Sequence, residues 1–83
     1  MKLQVRYFAS LREALGPAET IDAPGGTTLA ELRDVLIQRS PEHAAALARG
    51  RALRCALNQA LSDETAVIPE GAEVAFFPPV TGG

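Results

Sequence analysis

The strongest constraint on this chain is one well-marked helix set among segments that alternate like strands. Thr28 and Glu31 have the spacing of a capping box, in which hydroxyl and carboxylate satisfy two orphan amides reciprocally. Behind that cap, Leu29, Leu32 and Leu36 recur at i, i+3 and i+7, and Val35 is assigned to the same face. Pro41 disfavours helical geometry in the residue before it, so the helix ends near Ser40. Ser40-Pro41 then restarts a shorter Ala-rich helix through about Ala48, closed by Gly50.

Around this helical middle the pattern changes to period two. Leu3, Val5 and Tyr7 point one way, and Gln4, Arg6 and Phe8 the other. Ser10 to Leu15 is a short helix with Ser10 as N-cap, stopped by Gly16-Pro17. Ala18 to Asp22 is a weaker strand, ended by the turn Pro24-Gly25-Gly26. Further on, Leu53, Cys55 and Leu57 alternate with Arg54, Ala56 and Asn58, while Leu61 and Val67-Ile68 are apolar islands among turn residues. Pro69-Glu70-Gly71 is a turn, and Glu73 to Phe77 is the last strand. Such an order predicts an α+β domain: a mixed sheet of four to five strands wrapped on one main helix.

The chain has 83 residues, enough for one domain with a modest core. A deep self-contained active site is not expected, which leaves a carrier, a binding module or one subunit of a larger enzyme. Eight basic and ten acidic side chains give a net charge of −2, with Lys2 the one lysine. There is no basic field for nucleic acid. No apolar run approaches the roughly 20 residues needed to cross a bilayer, so no membrane partner is expected. The opening MKLQVRYFAS has no apolar core of a signal peptide. A lone cysteine builds neither an internal disulfide nor a cysteine-rich metal site, and the expected location is the reducing cytoplasm.

The side chains offer no catalyst. His43 is the single histidine and lacks companions at metal-ligand spacing, so it is read as a solvated surface residue. Cys55 lies between Leu53 and Leu57 on the apolar face of its strand, a setting for an inert thiol rather than a sulfur carrier. Glu13, Glu19, Glu31, Glu42 and Glu70 are scattered over separate elements, and Asp63-Glu64 reads as part of a polar loop. Gly25-Gly26 lacks the spacing and lysine of a phosphate loop.

The ending carries more. After Phe77, the prolines Pro78 and Pro79 can neither continue a ladder nor enter a helix. Residues 1–77 are therefore read as the domain, and 78–83 as a flexible, extended tail reaching on the order of 20 Å at roughly 3.3 Å per residue. That tail (Pro78, Pro79, Val80, Thr81, Gly82, Gly83) tapers to two residues without side chains, a shape suited to threading a narrow channel. The α-carboxylate of Gly83 is ionised at neutral pH and is a poor electrophile until activated. Adenylation by a separate ATP-using enzyme, then displacement of AMP by a sulfur nucleophile, would leave a terminal thiocarboxylate. No internal nucleophile is needed.

VAFFPPVTGG (Val74 to Gly83) resembles the C-terminus of the small, sulfur-carrying subunits of molybdopterin synthase. RYFASLREALG (Arg6 to Gly16) resembles the first strand and short helix of that family, and the segment Ala56 to Pro79 its Asn-Gln turn and closing strand. The resemblance implies a ubiquitin-like β-grasp fold and no permanently bound cofactor. It also implies a cycle in which an E1-like adenylating enzyme and a sulfur donor load Gly83. The large synthase subunit would then receive the tail, supply the catalytic side chains, and pass sulfur to cyclic pyranopterin monophosphate. The implied assembly is a heterotetramer of two large and two small subunits.

Alternation places Phe8 and Phe77 on the more polar sides of their strands. If those strands are neighbours, as in the resembled fold, the rings form an exposed apolar patch that Leu61 extends, and such patches mark partner sites. The alternative is that the two rings close a second small core. For the whole chain, the competing readings are a sulfur carrier for thiamine or cysteine synthesis and a ubiquitin-like modifier. From a different class comes a non-catalytic interaction module.

Overall fold

A computed structural model describes residues 1–79. Its elements are β1 (Lys2–Tyr7), α1 (Ser10–Leu15), β2 (Ala18–Asp22), α2 (Leu29–Ile37), α3 (Pro41–Leu47), β3 (Arg54–Leu57), β4 (Ala60–Ser62) and β5 (Glu73–Phe77). The five strands form one sheet in the order β2-β1-β5-β3-β4. β1 pairs parallel with β5, and the other three ladders are antiparallel. The sheet is therefore mixed, with the first and last strands side by side at its centre, and it wraps on α2 as a β-grasp.

The inward residues of the sheet, Leu3, Val5, Tyr7, Ile21, Cys55, Val74 and Phe76, close on Leu29, Leu32 and Leu36 of α2, with Leu11 and Leu47 sealing the ends. Each large apolar side chain buried this way contributes about 1.5–3 kcal/mol. The capping box forms as the spacing predicts. Thr28 Oγ1 accepts from the Glu31 amide at 3.1 Å, and the Glu31 carboxylate accepts from the Thr28 amide at 2.9 Å. Ser40 caps α3, accepting from the His43 amide at 3.1 Å.

Four local expectations are corrected. Val35 is 48% exposed rather than packed with the leucines. At about 100° per residue it falls roughly 95° from their mean direction, whereas Arg33 falls about 65° away and takes the inner place. Arg33 is buried because its guanidinium is fully engaged: Nε donates to Leu47 O at 2.8 Å, and Nη2 to Ala48 O at 2.6 Å and Arg51 O at 3.2 Å. Its Nη1 pairs with Glu64 at 2.9 Å, so Asp63-Glu64 is not merely a polar loop.

Ser10 is not an N-cap. It is the first residue of α1, Ala9 holds the cap position, and no side chain caps the helix. The Phe8 carbonyl does that work instead, accepting from the Leu11 and Arg12 amides at 3.1 and 3.4 Å. Leu61, read as an island among turn residues, lies in a strand. Asn58 and Gln59, with φ of 49° and 71°, form the two-residue turn of a β3–β4 hairpin. Two successive positive φ angles fit the type I′ turn that matches strand twist.

Candidate functional site

The ladder registers build the site on the outer face of the sheet. Arg6 pairs with Ala75, Ala75 with Ala56, and Ala56 with Leu61, giving one row across β1, β5, β3 and β4. One step along, Arg54 pairs with Phe77, and the Phe8 amide donates to Phe76 O at 3.3 Å, which continues the β1–β5 register to bring Phe8 beside Phe77. The two alanines are buried although they face outward, because larger neighbours stand over them. Phe8, Leu61 and Phe77 surround a concavity of about 270 Å³ with Ala56 and Ala75 in its wall. Phe8 is 38% and Leu61 66% exposed, and Phe77 is half-buried.

Exposed apolar side chains gathered over a depression differ from single exposed residues scattered on a surface, which need no explanation. The Arg6 guanidinium lies 5.5 Å from the centre of the Phe8 ring and 3.8 Å from the Glu73 carboxylate, bracketing the patch with charge. The two phenylalanines thus form a shared outer patch rather than a sealed second core. Ala56, Ala75, Gln59 and Arg6 were not anticipated as part of it. Alternation already turned Arg6, Ala56 and Ala75 outward, whereas Gln59 lies in the β3–β4 turn, and only the strand order puts them together. Pro78 and Pro79 follow directly from β5, half-buried and outside regular structure. The expectations for Val80, Thr81, Gly82 and Gly83 fall outside the described residues.

Cys55 stands on the inner face, 4% exposed, with its thiol donating to Ser62 O at 3.3 Å. Burial pushes the thiol pKa up, and the nearby Glu64 and Asp63 charges add to this. Such a thiol is a poor nucleophile.

His43 is a correction: it is not solvated. Its side chain keeps 15% of its exposure, and its Nε2–H donates to Glu19 Oε2 at 2.7 Å. The Ser40 hydroxyl lies 2.7 Å from Nδ1, and the Tyr7 hydroxyl donates to the same Glu19 oxygen at 2.7 Å. Arg39 adds an ion pair at 3.4 Å. Glu19 is therefore the hub of a network, not one of several scattered acids. Burial opposes its ionisation, but hydrogen bonds from Tyr7 and His43 and the charges of His43 and Arg39 more than offset that and hold its pKa below the ordinary value. The network ties β1, β2 and the start of α3 together. It shares β1 with the outer patch, but Tyr7 faces the core whereas Arg6 faces outward, and the network is structural.

Taken together, the β-grasp sheet, an apolar patch on its outer face and a last strand running straight into a diproline define a ubiquitin-like carrier or modifier domain. The chain belongs to the ThiS family, whose model matches residues 5–83. It is 41% identical to the molybdopterin synthase sulfur carrier subunit of Escherichia coli over 81 residues, covering 98% of this chain and 99% of that one. Among solved structures it resembles a chain in the complex of subunits 1 and 2 of molybdopterin-converting factor from Helicobacter pylori. That match has a TM-score of 0.68 and 28% identity, with full coverage of both chains. It also resembles SAMP1 from Haloferax volcanii, with a TM-score of 0.78, 25% identity and full coverage of both.

Proposed function

We propose that this chain is the sulfur carrier subunit of a molybdopterin synthase. The observation that carries the reading is the 41% identity, over nearly the whole chain, to a protein with that role. The side chains described above are consistent with it: the one thiol is buried and bonded, so sulfur is carried on the terminal carboxyl instead.

The chemistry runs through Gly83. Its carboxylate oxygen attacks the α-phosphate of ATP on an E1-like enzyme, releasing pyrophosphate and leaving an acyl-adenylate. Hydrosulfide released by a donor attacks the acyl carbon, AMP departs as the acyl–oxygen bond breaks, and a thiocarboxylate remains. Phe8, Leu61 and Phe77 dock the domain on the large subunit, whose own residues act on cyclic pyranopterin monophosphate. Pro78 to Gly83 carry the sulfur into that active site. One carrier brings one sulfur and a dithiolene needs two, so each product molecule consumes two loaded carriers, in keeping with a heterotetramer. The protein binds no cofactor permanently and works in the cytoplasm.

The likeness to SAMP1, small archaeal modifier protein 1 of Haloferax volcanii, favours a second reading as a protein modifier. Intact mass after co-expression with the adenylating enzyme and a sulfur source tests the proposal. Exchange of one terminal oxygen for sulfur is expected, and an unchanged mass beside an active adenylating enzyme overturns it. Reconstitution with the large subunit and the pterin precursor then separates a synthase subunit from a carrier for thiamine or cysteine synthesis. A mass increase matching a conjugated target identifies the modifier.

A further inference from the structure

Among the described residues, three that are not glycine have positive φ: Ala9, Asn58 and Gln59. All three border the outer patch, Ala9 directly after Phe8 and the Asn58-Gln59 turn two residues before Leu61. The positive-φ glycines, Gly16, Gly26 and Gly71, lie in other turns. Ala9 is the most strained. At φ 53° and ψ −130° it occupies backbone space natural to glycine, and non-glycine residues held there cluster at functional sites.

The geometry of the neighbours shows what this conformation achieves. Tyr7 and Leu11 are both buried, so the chain must leave the sheet and re-enter the core as a helix within three residues. The Phe8 backbone is held at both ends, its amide on Phe76 O and its carbonyl on the Leu11 and Arg12 amides. Its ring, however, lies on the outer face with the Arg6 guanidinium for company and no place in the core cluster. Neighbours on an open face, Arg6 and Phe77, constrain a ring that is 38% exposed less than a core would, so the backbone must help to aim it. A Cβ at position 9 leaves a narrow range of φ and ψ, whereas glycine there would let the Phe8–Ser10 segment sample many more.

We propose that Ala9 is a positioning residue: its strained, stiff turn presents Phe8 ready-ordered on the docking face. The inference rests on the docking role proposed above. A partner meeting an ordered ring is spared the cost of immobilising it.

Two variants test this with the cognate molybdopterin synthase large subunit as probe. Ala9→Gly relieves the strain but loosens the turn. Its melting temperature should not fall, while its dissociation constant should rise about threefold to tenfold, the cost of ordering one large side chain. Chemical synthesis with D-alanine at position 9, joined at Arg54-Cys55, also relieves the strain but keeps the turn stiff, because φ 53° is ordinary for a D-residue. It should bind within about twofold of wild type. Equal binding by wild type and Ala9→Gly overturns the inference, as does a D-alanine form that binds as weakly as the glycine one. A wild-type protein that fails to bind overturns the proposed docking instead. The positioning role is then decided by amide relaxation in the free protein, where the order parameter of Phe8 must drop in Ala9→Gly or the inference fails.

Discussion

Glu19 on β2 accepts a hydrogen bond from His43 on α3 at 2.7 Å, joining residues 24 apart in sequence across the seam between sheet and helices. The same oxygen accepts from Tyr7 at 2.7 Å, so one carboxylate fastens three elements.

Because the folded pKa of Glu19 lies below its ordinary 4.5, the stabilisation is complete above that value and is lost as pH falls through the lowered one. Acid unfolding of the wild type should therefore be steeper than that of Glu19→Gln. At neutral pH the glutamine variant should lose about 1–3 kcal/mol, as expected for charge-assisted bonds removed from a half-buried site. Urea titrations of both proteins from pH 3 to pH 7 check this, and parallel profiles would count against it.

Phe77→Asp and Leu61→Asp should each weaken association with the large subunit by at least about 2 kcal/mol, or roughly 30-fold. Leu61 is so exposed that its melting temperature should hardly move, which separates docking from folding. Calorimetric titration alongside thermal melts provides both readouts. Loss of fold in Phe77→Asp alone would mean that its ring is needed for the sheet.

Cys55→Ser should leave thiocarboxylate formation intact, because the proposed carrier is the Gly83 carboxyl and not this buried thiol. The native thiol should react with a disulfide reagent only at the rate of unfolding, being buried, bonded to Ser62 O and raised in pKa. Timed thiol titration with and without denaturant measures that gap. Rapid reaction in the folded protein would contradict the burial.

Arg33→Met removes the guanidinium that donates to three carbonyls at and just beyond the end of α3 and leaves Glu64 with Arg49 alone at 2.6 Å. The stranded carbonyls should cost about 3–5 kcal/mol, lowering the melting temperature by more than about 10 °C. Val35→Lys, by contrast, should stay within about 0.5 kcal/mol of wild type. Thermal melts of the two variants side by side test the exchange of inner and outer places on α2.

Much of this molecule can be read along the chain wherever the determinant is local. The capping box of α2, the Ser40 cap, the alternation of β1 and the outward turn of Phe8 and Phe77 all depend on residues within four positions of one another. Arg33 and Val35 defeat the same logic, because a bonded guanidinium can lie inside while a valine lies out, and its partners are 14 to 31 residues away. His43 and Glu19 look unrelated in sequence for the same reason. The patch was legible as a set of outward residues. Its floor of Ala56 and Ala75 was not, since small side chains mean little until strand order brings them together. The Asn58-Gln59 turn hid its hairpin because the usual glycine is missing.

The central place of β5 bears on how the carrier withstands handling. A pull applied beyond Phe77 acts along a strand bonded to β1 on one edge and β3 on the other. Both ladders are loaded in shear together, so no single bond can be peeled first, as it would be at a sheet edge. A load carried into the domain through its last strand is therefore shared by two ladders, and the domain answers it as a rigid handle.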